Sequence, residues 1–235
     1  MIAASAEMFR HRFGTKDAGG RSIVTLRHYS RLETLMIDTN DLQRIFARLR
    51  ANRRSIRHSG AEERIARLER LRTEVADRAA DIGEAIHADL GRPADNRDEI
   101  ETVMGNLDKV AVELADWMKP VQVPQTPDLP PAKDIYVQYE PRGVVLLFGT
   151  WDFPIGMFFS PLIQAIAAGN VVLAKTSDLA PATAAVIAEI VRAAFAEDEV
   201  AVVTEADDIT NDDLLELPVD HIFLTGSRRV GRSAG

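Results

Sequence analysis

The sequence has 235 residues, of which 46% are hydrophobic and 27% are charged, and its formal net charge is -8. This is the composition of an ordinary globular protein with one large domain or two small ones. The negative charge disfavours a general nucleic-acid binder, because contacts with phosphates require a cationic surface. The sequence contains no cysteine, which excludes disulfides, thiolate metal sites and cysteine nucleophiles within these 235 residues.

Residues 1–38 are predicted to be a disordered leader. They contain arginines but no sustained apolar run, so they do not resemble a secretory signal. Two alternatives remain open. The segment could imitate an organellar transit peptide, which Glu7 and Asp17 disfavour, or translation could start at Met36.

A long uncharged run, from Phe153 to Ala174, raises the question of a membrane span. Two prolines and a Gly-Asn turn interrupt it, so a buried helix followed by a buried strand is the better interpretation. We therefore expect a cytoplasmic protein that makes no membrane contact.

Residues 39–118 are predicted to form N-terminal helices. A first helix from Asp41 to Leu49 is followed by a basic connection, and Ser59 precedes Glu62 at the spacing of a capping box. One amphipathic helix is then predicted from apolar residues at spacings of three and four, which are Ile65, Leu68, Leu71, Val75, Ala79, Ile82 and Ile86. Gly91 and Pro93 end this helix, and the same rhythm predicts a third one from Ile100 to Trp117. The connection contains Arg50, Arg53, Arg54 and Arg57, and acidic residues are interleaved with the arginines further along, which indicates a solvated face rather than a nucleic-acid site.

A proline-rich crossing segment is predicted at residues 119–134, because five prolines between Pro120 and Pro131 are incompatible with a helix. The next residues, Ile135 to Glu140, are predicted to form a strand.

Residues 135–235 are predicted to form an α/β domain with a doubly wound parallel sheet. Short apolar strands alternate here with helices, which is typical of a sheet covered on both faces. The predicted strands are Val144–Phe148, Val171–Lys175, Val200–Val203 and His221–Leu224, and the predicted helices are Pro154–Ala168, Pro181–Phe195 and Asp212–Leu217. Ligands of such sheets bind beyond the carboxyl ends of the strands.

The sequence has no G-x-G-x-x-G or P-loop motif and no metal-ligand spacing among its histidines. The residues at the strand ends therefore remain as the candidates for ligand binding. Lys175, Ser177 and Asp178 place a cation, a hydroxyl and a carboxylate in one turn, which suits the hydroxyls of a ribose. Gly226 and Ser227 open a predicted helix whose free N–H groups suit a phosphate. Ordinary loop chemistry is the alternative for both, and His221 is interpreted as a satisfied sheet residue rather than a base.

Three motifs in order, PRGVVLLFGTWDFP, AAGNVVLAKTSDLAPATA and DHIFLTGSRRVG, resemble the aldehyde dehydrogenase superfamily. The nearest branch is the class 3 and coniferyl aldehyde dehydrogenase-like group, and the resemblance runs from about Asp41 to the end of the chain. It implies an incomplete NAD(P)-binding α/β domain behind a helical leader, with NAD or NADP as cofactor and a small-molecule aldehyde as substrate. It also implies a separate catalytic domain and an arm used in homo-oligomer formation, both absent from this sequence.

The resemblance assigns roles to residues at the strand ends. Thr150 and Trp151 would line the nicotinamide side of the cleft, and Lys175 and Asp178 would hold the adenosine ribose beside Ser177. The pyrophosphate would be received by Gly226 and Ser227, with Val230 packed close by. For Trp151 a buried anchor under the turn is the alternative, and for Lys175 it is a solvated lysine at a strand end.

The sequence departs from the family pattern at several positions. Asp152 stands where the family has an asparagine that helps to stabilise the oxyanion, a contribution of about 2.7–4 kcal/mol for one donor. Thr176 and Asp178 replace the usual proline and glutamate, and Glu205 replaces a glycine near the adenine pocket. Cofactor binding is therefore expected to be weakened.

Two interpretations follow from the sequence. In the first, the chain is the N-terminal part of an NAD(P)-dependent aldehyde dehydrogenase and is inactive alone, because the nucleophilic cysteine and the general-base glutamate would lie beyond Gly235. In the second, it is a non-catalytic module that binds a nucleotide or a partner. The coding sequence after Gly235 would distinguish the two.

Overall fold

The computed structural model describes residues 36–95, 97–124, 135–226 and 231–232, and the backbone of two short strands before them. These strands, β1 (Thr15–Lys16) and β2 (Ser22–Ile23), pair antiparallel within a unit of residues 1–35. The other positions of the predicted leader up to residue 35 lie outside the described residues. Residues 36–235 form the second compact unit, which therefore includes the last three residues predicted as leader.

The first helix of this unit, α1 (Thr39–Arg57), is longer than predicted. The carboxylate of Asp38 caps it by accepting hydrogen bonds from the N–H groups of Asn40 and Asp41 at 2.8 and 2.9 Å. The prediction of a basic connection after Leu49 is wrong. The helix continues through that segment because Ile56 keeps the buried face going, and its four arginines lie within the helix.

The long amphipathic helix predicted next is two helices, α2 (Ala61–Asp77) and α3 (Ala79–Leu90), which meet at Arg78. A fourth helix, α4 (Asp98–Trp117), matches the third predicted one. Gly91 ends α3 in the left-handed conformation at φ 68°, as its position before Pro93 indicates.

The predicted capping box of Ser59 and Glu62 is wrong by one residue. Gly60 is the N-cap of α2, and its N–H donates to the carboxylate of Glu63 at 2.7 Å. The Ser59 hydroxyl is buried and used elsewhere, since it donates to the carbonyl of Ile56 at 2.5 Å and accepts from Arg64 at 3.1 Å.

A two-stranded antiparallel ribbon follows α4. Its strands, β3 (Val121–Gln122) and β4 (Tyr136–Val137), pair over two residues each. The strand predicted from Ile135 to Glu140 is thus shorter than expected. Residues 125–134 of the predicted crossing segment lie outside the described residues.

The second half of the unit is a parallel sheet in the order β7-β6-β5-β8. Its strands have the predicted bounds: β5 (Val144–Phe148), β6 (Val171–Lys175), β7 (Val200–Val203) and β8 (His221–Leu224). They alternate with α5 (Gly156–Ala167), α6 (Pro181–Ala194) and α7 (Asn211–Leu215). The predicted α/β fold with a doubly wound parallel sheet and a helical N-terminal part is confirmed.

Helices cover both faces of this sheet. Because neighbouring strand residues point to opposite faces, Val145 and Leu147 join one buried cluster while Val144 and Leu146 join the other. The first cluster contains α2 to α6 and the second contains α1 and α7. The helices of residues 39–118 therefore share their core with the sheet.

In the part of the chain that the structure describes, no helix is both long and apolar enough to cross a membrane. The uncharged run that raised the question is divided between α5 and β6, as predicted.

Candidate functional site

The carboxyl ends of the four parallel strands lie at one level of the sheet. Phe148 of β5 pairs with Lys175 of β6 and with Leu224 of β8, and Lys175 pairs with Val203 of β7. The chain leaves these strands in register, since the N–H of Gly149 donates to the carbonyl of Lys175 at 2.8 Å. The candidate residues that follow β5 and β6 therefore come from neighbouring strands at one edge.

Gly149 lets these strand ends approach the helix behind them. A Cβ at this position would lie 3.1 Å from the ring of Phe158 in α5 and 3.3 Å from the carbonyl oxygen of Lys175. Such contacts are tighter than ordinary van der Waals packing, so a side chain here would push the turn after β5 away from the sheet.

The turn after β5 presents an indole to solvent. Trp151 is 49% exposed, so its interpretation as a buried anchor is wrong. Asp152, on the same turn, folds its carboxylate back: it accepts from the Thr150 hydroxyl at 2.5 Å and from the Phe153 N–H at 3.2 Å. The hydrogen bond from Thr150 is the main cause that lowers the pKa of Asp152. The carboxylate of Asp152 is thus ionised at neutral pH.

The turn after β6 contains a buried cation. Lys175 is 4% exposed, so its interpretation as a solvated lysine is wrong. Its ammonium donates to the carbonyl of Thr176 at 3.1 Å and forms an ion pair with Asp178, whose side chain is largely exposed. The hydroxyl of Ser177 accepts from the N–H of Leu179 at 3.3 Å. An ammonium beside an accessible carboxylate matches a vicinal diol, which can accept from the first group and donate to the second.

The turn after β7 is fixed by an acid that the sequence analysis missed. The buried carboxylate of Asp207 accepts from the N–H and hydroxyl of Thr204 at 2.7 and 3.1 Å, and from the N–H of Ile37 at 2.9 Å. Glu205 lies exposed in this turn. The local part of this arrangement is a side-chain-to-backbone pattern, in which an acid follows Thr204 by three residues and accepts from its N–H.

The end of β8 is only partly described. Thr225 and Gly226 are exposed, whereas Ser227 and Val230 lie outside the described residues. His221 is exposed at the start of β8, and with Phe223 it lines a groove of about 480 Å³ beside α5. Among the described residues, no group of three or more acidic or histidine side chains is arranged to hold a metal ion.

Three charged residues from the N-terminal helices bind the ends of the helices around the sheet. The Glu99 carboxylate accepts from the N–H groups of Ile155 and Gly156 at 2.8 and 2.9 Å, where α5 begins. Arg64 donates to the carbonyl of Ala167 at 2.9 Å, where α5 ends. The third residue, Asp89, accepts from the N–H groups of Ala182 and Thr183 at the start of α6. Each charge has the sign that complements the helix dipole.

Comparison with known proteins identifies relatives of one family. The sequence profile of the aldehyde dehydrogenase family matches residues 31–235. Aldehyde dehydrogenase family 3 member A2 of Macaca fascicularis is 38% identical over 173 residues, which cover 72% of this chain and 35% of that protein. The 4,4'-diapolycopene-4,4'-dial dehydrogenase of Cytobacillus firmus is 33% identical over 198 residues, or 83% of this chain and 43% of that protein.

Solved structures give the same result. Staphylococcus aureus AldH in a substrate-bound state superposes with a TM-score of 0.74 at 29% identity, over 82% of this chain and 42% of that one. Glyceraldehyde-3-phosphate dehydrogenase GapN of Methanocaldococcus jannaschii, complexed with NADP, shares the fold with a TM-score of 0.74 at 18% identity, over 94% of this chain and 48% of that one. The chain thus spans less than half of the length of these relatives.

Proposed function

The chain belongs to the aldehyde dehydrogenase family, and we propose that it forms the NAD(P)-binding part of an enzyme that oxidises an aldehyde to a carboxylic acid. The observation that carries this proposal is the pair of Lys175 and Asp178 at the carboxyl edge of a parallel sheet, where dinucleotides bind in folds of this class. When bound, the nicotinamide accepts a hydride from the substrate.

Each candidate residue has a role in this proposal. The ammonium of Lys175 and the carboxylate of Asp178 hold the hydroxyls of the adenosine ribose, with Ser177 beside them. Thr150 and the exposed indole of Trp151 line the nicotinamide side. The pyrophosphate would be received after β8 by Gly226 together with Ser227 and Val230, the last two of which lie outside the described residues.

Of the two nicotinamide cofactors, NAD fits the described residues better. Asp178 keeps a carboxylate in contact with the Lys175 ammonium. A 2'-phosphate on the ribose would meet that carboxylate, and two like charges in contact are unfavourable. Two of the three N–H donors of the ammonium are engaged with Asp178 and the Thr176 carbonyl, which leaves one donor for the cofactor and supports weak binding.

The 235 residues are proposed not to oxidise aldehydes by themselves. The family reaction uses a thiolate nucleophile, and the sequence contains no cysteine. In addition, the ionised Asp152 would repel the negative charge that develops on the substrate oxygen, where a donor is needed.

A small-molecule aldehyde, a homo-oligomeric assembly and a cytoplasmic location are proposed for the whole protein. The domain bounds predicted above, at residues 38, 118 and 134, likewise stay predictions.

A second candidate function is a non-catalytic module that binds a nucleotide or a protein partner. The observation that favours it is again Asp152, whose carboxylate is stabilised by Thr150 in a position unsuited to the oxyanion. The coding sequence after Gly235 separates the two candidates, because only the first candidate expects a cysteine nucleophile to be encoded there.

The cofactor proposal is tested by titrating the purified chain with NAD and NADP in a calorimeter. We expect measurable NAD binding and weaker NADP binding. The Lys175→Met variant should lose about tenfold or more in NAD affinity, because a hydrogen bond to a charged group contributes about 1.5–3 kcal/mol.

The matched control is Lys119→Met, which removes an exposed lysine that pairs with Asp116 at 2.6 Å. This variant should bind NAD like the unmodified chain. Equal affinities of the Lys175→Met variant and the unmodified chain would contradict the assignment of the ribose site.

A further inference from the structure

The turn between β5 and α5, here called the cleft turn (residues 150–153), is contacted from outside the sheet by Arg92. One guanidinium nitrogen of Arg92 donates to the main-chain carbonyl of Asp152. The guanidinium carbon also lies 4.4 Å from the centre of the Phe153 ring, a cation–π distance. The side chain of Arg92 therefore holds two neighbouring residues of the cleft turn. It contacts the backbone of Asp152 and the ring of Phe153.

Arg92 is itself held in place on the opposite side. Its second terminal nitrogen donates to Glu99 at 2.8 Å, and Glu99 is only 6% exposed. The other oxygen of Glu99 accepts from the N–H groups of Ile155 and Gly156, at the start of α5. One carboxylate therefore fixes both the guanidinium that contacts the cleft turn and the backbone into which that turn leads.

The backbone of Arg92 is also held in place. Gly91 ends α3 in the left-handed conformation, which directs the chain out of the helix. A ring nitrogen of His87 then lies 2.7 Å from the carbonyl oxygen of Arg92. The guanidinium is thus anchored on a rigid helix end rather than on a free loop.

There is room for the cleft turn to move without these contacts. Arg92, Glu99, Phe153 and Ile86 line a cavity of about 180 Å³. The cleft turn itself contains no regular secondary structure, and both Trp151 and Phe153 are about half exposed. The turn is also held by the hydrogen bond from the N–H of Met157 to the carbonyl of Phe153 at 2.9 Å, and the contacts from Arg92 add to it.

We infer that Arg92, oriented by Glu99, is a positioning residue that fixes the cleft turn in the conformation used for cofactor binding. This inference rests on the proposed function, because the cleft turn carries Thr150 and Trp151 of the nicotinamide side. Binding energy is lost when a segment must be ordered during association, so a pre-ordered turn raises affinity. Arg92 acts through the backbone of Asp152 and the ring of Phe153 and does not itself contact the cofactor.

The test uses the tryptophan on the cleft turn as a probe. The sequence has two tryptophans, Trp117 and Trp151, so the Trp117→Phe chain reports on Trp151 alone. In this background we compare Arg92→Met, Arg92→Lys and Phe153→Leu by acrylamide quenching of fluorescence and by titration with NAD. The control is Arg50→Met, which removes an arginine that stacks on Phe46 at 6.0 Å in α1.

We expect Arg92→Met to raise the quenching constant of Trp151 about twofold and to weaken NAD binding about fivefold to tenfold, because the turn is no longer pre-ordered. Arg92→Lys, which keeps the charge but not the planar fork, should restore part of both losses. Phe153→Leu should give an intermediate change in quenching. Because this substitution removes a half-exposed ring, the variant should fold and can test the inference even if Arg92→Met does not fold.

The outcomes separate this inference from the proposed function. Unchanged Trp151 quenching in folded Arg92→Met and Phe153→Leu chains would overturn the inference, whether or not NAD binds. Increased quenching in these variants, together with no NAD binding by the parent chain, would support the role of Arg92 in fixing the turn and contradict the proposed function. Equal effects in Arg50→Met would also overturn the inference, because they would show a general response to loss of a cation.

Discussion

Asp152, which we expect to replace a family asparagine, is stabilised in its ionised form by its surroundings. An asparagine at this position would present an N–H group, whereas the carboxylate here accepts hydrogen bonds from Thr150 and Phe153. These contacts favour the ionised form and lower the pKa of Asp152. The carboxylate therefore has local hydrogen-bond donors within the turn.

The pKa of Asp152 should depend on the hydroxyl of Thr150. Replacing Thr150 with valine removes the main cause of the shift, so the pKa of Asp152 should rise toward its ordinary value, about 3.9. The carboxyl carbon of Asp152, followed by NMR during an acid titration, measures this directly. An unchanged pKa in the Thr150→Val chain would contradict the assigned cause.

The same shift has a consequence for stability. A carboxyl whose pKa is lower in the folded than in the unfolded chain stabilises the fold above the unfolded pKa, and the effect is lost as the pH falls through the folded pKa. Because Asp152 is exposed, solvent screening keeps this contribution small. The sequence identified Asp152 as a departure, but the partners that keep it ionised became visible only with the geometry of the turn.

At the scale of single elements, α5 depends on charges from outside itself. The helix contains no charged residue, yet buried Glu99 lies at its start and buried Arg64 at its end. Gly169, just after the helix, has φ 85°, and a Cβ there would lie 2.5 Å from a terminal nitrogen of Arg64. The guanidinium of Arg64 therefore packs so closely against the end of the helix that a side chain at Gly169 would clash with it.

Arg64 is expected to stabilise the fold through its three hydrogen bonds. It donates hydrogen bonds to Ser59, to the carbonyl of Arg57 and to the carbonyl of Ala167, and burial lowers its pKa. The Arg64→Met chain leaves buried acceptors unpaired and should lose about 1–3 kcal/mol of unfolding free energy in urea. Its control, Arg48→Met, removes an exposed arginine paired with Glu197 and should change the stability by less than about 0.5 kcal/mol.

Local elements could be predicted well and their ends less so. The bounds of the four strands of the parallel sheet followed from short apolar runs bounded by turn residues. The break at Arg78 did not, because the apolar spacing continues from Val75 through Ala79 to Ile82 without a change. The caps from Glu99, Arg64 and Asp89 join residues between 56 and 103 positions apart, and no local spacing encodes such a contact.

The whole unit from residue 36 onward has a shared interior. The cluster on one face of the sheet combines residues of α2 to α4, such as Leu71 and Leu107, with strand residues such as Leu147. Together with the charged caps, this indicates that the N-terminal helices and the sheet depend on each other for stability. The predicted family was recognised from motifs in the sheet half and is confirmed over residues 31–235.

The N-terminal helices and the sheet are expected to unfold together. Trp117 lies at the end of α4 and Trp151 at the edge of the sheet, so each reports on a different half. Single-tryptophan chains, Trp151→Phe and Trp117→Phe, should unfold in urea with coincident transitions, each matching the loss of helical circular dichroism for the same chain. Separate midpoints for the two probes within one chain would show that residues 39–118 form an independent domain.

We propose that NAD binds at the carboxyl edge of this sheet. Amide hydrogen exchange measured with and without saturating NAD tests it most directly. We expect slower exchange in the segments 149–153 and 175–178 and no change in the middle of α4. Unaltered exchange in both segments, or protection confined to the groove beside His221 and Phe223, would contradict it.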